Sequence, residues 1–106
     1  MKIVTTPTIE GYKVTKVIGV VSGSTVRAKN VGRDIIAAFK NLVGGEITEY
    51  TQLLGQSREE ALSRMISKAE AMDANAVINL RFMTSMVSQA ASEILAYGTA
   101  VVVEEQ

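Results

Sequence analysis

The stretch that most limits how this chain can fold is residues 94–103, Ile-Leu-Ala-Tyr-Gly-Thr-Ala-Val-Val-Val. Side chains alternate between the two faces of a strand. One face would then carry Ile94, Ala96, Gly98, Ala100 and Val102, and the other Leu95, Tyr97, Thr99, Val101 and Val103. Both are apolar. Residues 17–21, Val-Ile-Gly-Val-Val, repeat the feature inside a β-branched segment that begins at Tyr12, and β-branched residues favour strands. A strand that is apolar on both sides needs cover on both sides.

Length decides how much cover the chain can supply for itself. Its 106 residues predict one domain, residues 1–106, and a chain this short buries only about 60–65% of its unfolded surface. Hydrophobic residues make up 47% and charged residues 21%, with a single proline, which excludes disorder as the main state. Cysteine and histidine are both absent. Disulfides, thiolate zinc sites, cysteine nucleophiles and a side chain titrating near neutrality go with them. Self-association is then the ordinary route left to extra stability.

Residues 1–11 predict an extended arm, because Thr6 precedes Pro7 and Glu10-Gly11 supplies a turn. A strand follows over 12–21, with a bulge or turn at Ser22-Gly23-Ser24 and a resumed strand at 25–28. Asn30 suits an N-cap for a helix over 31–43 that buries Val31, Ile35, Ala38, Phe39, Leu42 and Val43 and stops at Gly44-Gly45. The next helix has two possible starts. Ser57-Arg58-Glu59-Glu60 fits a capping box, yet Tyr50, Leu53, Leu54, Ala61, Leu62, Met65, Ala69 and Met72 keep one angular phase across Gly55. A fresh start would not preserve that phase, so one helix over about 48–73 is expected, carrying Gly55 at a cost of about 1 kcal/mol.

Residues 73–75 form the exit turn. Residues 76–83 alternate, with Ala76, Ile78, Leu80 and Phe82 expected toward the core and Asn79 and Arg81 away from it. Residues 84–92 are small and polar and read as a mobile connection, 94–103 as the last strand and 104–106 as a solvated tail. The pattern predicts an α+β fold, two helices on a three-stranded sheet in two layers. The helices can cover one face of that sheet. Each Val or Leu left bare on the other forgoes roughly 1.5–3 kcal/mol, and an arm of this length cannot hide two strands. Sister copies in a homo-oligomer are the expected cover.

Net charge is zero, but residues 1–45 hold seven Lys/Arg against two acids, +5, and residues 46–106 hold four against nine, −5. The basic residues are scattered and no aromatics interleave with them, which argues against a nucleic-acid partner and suits complementation within or between subunits. Neither a signal-peptide pattern nor an apolar run of roughly 20 residues appears, so no membrane partner is expected and the location expected is cytoplasmic.

Chemical motifs are few. Residues 19–25, Gly-Val-Val-Ser-Gly-Ser-Thr, lack the spacing and the lysine of a phosphate loop. Met83 and Met86 could offer thioethers to a soft ion, and Glu59, Glu60, Glu70 and Asp73 could meet a hard one without calcium-loop spacing. Asn30, Arg33 and Asp34 cluster at a helix start, which suits an anion or a cap with a local ion pair. No nucleophile–base pair is present, which leaves Ser, Lys or Tyr as the groups an enzyme here would have to use. Tyr12, Tyr50 and Tyr97 are the aromatics open to an inter-subunit pocket.

Several stretches together resemble the YbjQ family of small bacterial and archaeal proteins, whose function is unknown and whose label speaks of heavy-metal binding. They are Thr5-Thr6-Pro7 with Ile9-Glu10-Gly11, Gly19-Val20-Val21-Ser22-Gly23, Asn30 with Arg33-Asp34-Ile35, Gly44-Gly45, Tyr50, Ala74-Asn75-Ala76-Val77 and Tyr97-Gly98-Thr99-Ala100-Val101. The resemblance implies a βαββ-type subunit like that of dodecins, assembled as a homopentameric ring.

The expectation is therefore a ring-forming scaffold or small-ligand-binding protein without catalysis of its own, its ligand or interface residues drawn from Asn30, Arg33, Asp34, Tyr50, Tyr97 and Thr99. No cofactor is expected. The alternatives are a metal site built from carboxylates or methionines at subunit interfaces, and an enzyme with an inter-subunit Ser, Lys or Tyr.

Overall fold

The structure, a computed structural model, describes residues 1–27, 48–88 and 91–106. Its elements are β1 (Lys2–Ile3), β2 (Tyr12–Arg27), α1 (Thr48–Ala71), β3 (Ala76–Ser88) and β4 (Ala91–Glu105). The strands form one sheet in the order β1-β3-β4-β2, with β1 parallel to β3 and the other pairs antiparallel. The fold is α+β, with α1 across one face of four strands rather than three. The helix expected over 31–43, its Asn30 cap and its Gly44-Gly45 stop lie outside the described residues.

The fourth strand comes from the arm. Lys2 and Val4 N–H donate to the Asn75 and Val77 carbonyls at 3.2 and 3.0 Å, and Leu80 N–H donates to Val4 O at 3.0 Å, so the arm begins as an edge strand. β1 and β2 lie at opposite edges, and the chain between them must cross the sheet. It crosses on the face away from α1, where Val4, Ile9 and Tyr12 pack on Ala76, Ile78, Val101 and Val103. Gly11, at φ 82°, closes the turn into β2 in a conformation that costs glycine little.

α1 runs unbroken through Gly55 and Ser57, as its phase predicts, and Ser57 is buried in mid-helix rather than capping a start. Its inner stripe is Ala61, Met65 and Ala69, packed with Val21, Val77, Leu80, Ile94, Ala96 and Ala100. Met72 is exposed instead of completing the stripe, because the helix ends before it. Asp73 takes φ 66°, and Ala74 and Asp73 N–H donate to the Ala69 and Glu70 carbonyls at 3.1 and 3.0 Å. This is a Schellman stop with aspartate in the left-handed position.

The strands depart from the sequence reading at their bulges. Ser22-Gly23-Ser24 lies inside β2 with its register intact, and the two irregularities fall earlier, at Val14/Lys16 and Val17/Gly19. Each adds a residue to β2, and this puts Val14, Val17 and Val20 on one face at three-residue intervals, opposite Val103, Val101 and Thr99. β3 carries another shift between Ile78 and Arg81, around Asn79 at φ 55°. The expected alternation breaks there: Ala76 and Ile78 face away from α1, whereas Val77 and Leu80 face it. Phe82 is exposed.

Residues 84–88 continue β3, and β4 starts at Ala91, so the expected mobile connection is mostly strand. Glu104 and Glu105 pair with Lys13 and Tyr12, so the expected tail is strand too. Two glycines mark close approaches. A Cβ at Gly23 would run into the α1 backbone at Ala61 and Met65, and one at Gly98 would lie 2.7 Å from Val77 Cγ1 and 2.9 Å from Ile78 O, at the β3 bulge.

Candidate functional site

The two-faced pattern of β4 is reproduced. Ile94, Ala96 and Ala100 join the α1 core, and Val101 and Val103 join the cluster beneath the arm. Directly paired residues share a face, which extends the second face over Val20, Ser22, Val26, Arg81, Met83, Leu95, Tyr97 and Thr99.

That face has two halves. Under the arm, Ala76 and Val101 have no exposed surface. Beside it on the edge strand β2, Val17 is 65% exposed and Val20 79%, and Val26, Met83 and Tyr97 are exposed further along the same face. The patch contains a polar row, Arg81–Tyr97–Ser22, one side chain from each of β3, β4 and β2, and Thr99 sits next to Tyr97 on the same face. Arg81 Nη1 donates to Thr5 O and Leu80 O, each at 2.8 Å, and so ties the arm to β3. A guanidinium, a phenol and two hydroxyls within an apolar strip suit binding of a partly polar surface or ligand.

Of the sequence candidates, the structure brings Tyr97 and Thr99 together. Asn30, Arg33 and Asp34 lie outside the described residues, and Tyr50 lies on α1 with its side chain outside them. Tyr12 belongs to the covered cluster, with Lys2 Nζ 4.6 Å from its ring centroid, and is not free to line the bare patch. Sequence reading set Arg81 aside as merely outward-facing. Its tie to Thr5 spans most of the chain and leaves no local signal.

The metal readings fare differently. Met83 pairs with Leu95 on the bare face and Met86 with Ser92 on the opposite one, so the two thioethers cannot meet one ion within a subunit. Among the described residues no three carboxylates come close enough to share an ion. No described helix is long and apolar enough to cross a membrane.

The family model described as "Putative heavy-metal-binding", YbjQ, matches residues 1–104. The chain belongs to the YbjQ family. It is 57% identical over 105 residues to a UPF0145 protein of Clostridioides difficile, covering 99% of this chain and 94% of that one. It is 54% identical over 104 residues to a UPF0145 protein of Pyrococcus furiosus, covering 98% and 91%. Among solved structures, a protein of unknown function of the DUF74 family from Pediococcus pentosaceus superposes with a TM-score of 0.63 at 21% identity, over 98% of both chains. That likeness concerns the fold.

The residues that carried the YbjQ resemblance have structural work to do. Asn75 Nδ2 donates to Val103 O at 3.0 Å and its Oδ1 accepts from Val103 N–H at 2.8 Å, continuing the ladder past the start of β3. Gly23 and Gly98 permit the two close approaches.

Proposed function

We propose that this YbjQ-family protein is a cytoplasmic homo-oligomeric scaffold that holds a small ligand between subunits, and that it performs no catalysis of its own. The observation that carries the reading is the bare half of the sheet face beside the arm, with Val17, Val20, Val26, Met83 and Tyr97 exposed. Each exposed valine there forgoes roughly 1.5 kcal/mol or more of burial, and contiguous patches of this kind mark interaction surfaces. A second copy is the one partner present in every solution that contains the first, and most oligomers are built from identical chains.

Shape supports the same reading. The radius of gyration is 17.1 Å and the extents are 54 × 27 × 16 Å, against about 13 Å for a compact chain of this length. Such long extents give the sheet a large face for its mass. A pentameric ring is the assembly the family resemblance implies, and Tyr97 and Thr99 would then lie at or beside the subunit contact. A metal site using both Met83 and Met86 would have to draw them from more than one subunit, because they lie on opposite faces of β3.

The test is sedimentation at micromolar concentration. The parent chain is expected to sediment as an oligomer of about five subunits and Val20→Glu as a smaller species with unchanged far-UV circular dichroism. A folded 11 kDa monomer of the parent chain would end the proposal.

A further inference from the structure

The outer edge of β2 meets α1 along an open cleft of about 480 Å³ lined by Ser24, Ser63, Arg64, Ser67 and Lys68. Among the described residues, α1 contributes two hydroxyls and two cations to the cleft, and β2 contributes the Ser24 carbonyl. Ser63 and Ser67 are four residues apart on α1, and so are Arg64 and Lys68, so the four form a compact diamond on one helical face. Like charges at that spacing repel, and among the described residues no carboxylate lines the cleft.

The guanidinium is held in place. Arg64 Nη1 donates to Ser24 O at 2.6 Å, and the strand carrying that carbonyl is seated on the helix at Gly23, with no room for a side chain between the two backbones. Arg64 is therefore fixed through Nη1, and a guanidinium has five N–H groups in all to offer an acceptor. A fixed guanidinium beside an ammonium and hydroxyls matches the acceptor oxygens of a phosphoryl group. The cleft is larger than one phosphoryl group and falls in the size range of small-molecule sites, which leaves room for an organic portion.

From this cluster we infer that the α1–β2 cleft binds a small phosphate-bearing molecule, with Arg64 and Lys68 taking the phosphoryl oxygens and Ser63 and Ser67 donating to them. The site lies on the α1 side of the sheet, opposite the bare face on which the proposed oligomer rests, so the two proposals are tested separately.

Amide NMR or calorimetric titration of the full chain with inorganic phosphate and with glycerol phosphate, at fixed ionic strength set by chloride, tests it. At least one probe is expected to bind saturably, with the amide shifts gathered at Ser24 and residues 63–68. Arg64→Gln should weaken binding about tenfold, the loss of a charge-assisted hydrogen bond. Lys68→Gln, an exposed change that keeps the helix, should weaken it by about threefold, as one ion–phosphate contact on a partly solvated surface. Val20→Glu should leave it unchanged. Failure of both probes to bind, or binding that is indifferent to Arg64→Gln and Lys68→Gln in folded protein, overturns the assignment. So does binding that chloride alone reproduces.

Discussion

The two faces of the sheet are closed by different means. On one, α1 lies so close that its backbone meets the β2 backbone at Gly23, and Ala61, Met65 and Ala69 fill the seam without exposure. On the other, the cover is a strap from β1 to β2 that seals Ala76, Ile78, Val101 and Val103 and is tied to β3 by the Arg81–Thr5 bond. Directly paired valines are treated differently: Val101 on β4 has no exposed surface, whereas Val17, opposite it on the edge strand β2, is mostly exposed, as is Val20. A strap can dry only what it crosses, so the apolar surface beside it stays exposed.

The largest expected effect breaks the tight face. Gly23→Ala places a methyl group against the helix backbone, which has no flexible side chain to yield. Overpacking of this kind costs up to about 3 kcal/mol or more, and urea denaturation should show the midpoint falling sharply or the chain failing to fold. A near-unchanged midpoint would mean that the helix and strand separate easily.

A matched pair sharpens the contrast between the halves of the other face. Val101→Ala removes two buried methyl groups and should cost about 2 kcal/mol. Val20→Ala should change subunit stability by about 0.5 kcal/mol or less and should be felt in the oligomer–monomer equilibrium instead. Equal losses in thermal unfolding of dilute monomeric protein would show that the two halves are not distinct.

The smallest change loosens the covered half. Asn75→Ala removes both bonds to Val103 and should cost about 1–2 kcal/mol, with amide hydrogen exchange rising at Val103. Unaltered exchange there would show that the ladder closes without the amide.

Much of this architecture was legible from local pattern. The single helix across Gly55 followed from an unbroken angular phase, and the two faces of β4 followed from strict alternation, because both are properties of one segment considered alone. Arg81 and the α1–β2 cleft were harder to read. Arg81 acts on Thr5, and Ser24 joins residues 63–68 only when β2 is laid on α1.

The sequence determined that Leu95, Tyr97, Val101 and Val103 share one side of a strand whose other side is equally apolar. Tertiary structure alone decided that Val14, Val17 and Val20 line up beside them, that Asn79 reverses the alternation of β3, and that the arm shields only part of the face. A bulge is a mismatch between two strands, and a crossing depends on which edges its ends must join. Neither is a property of any single segment, so neither could be read before the partners were in place.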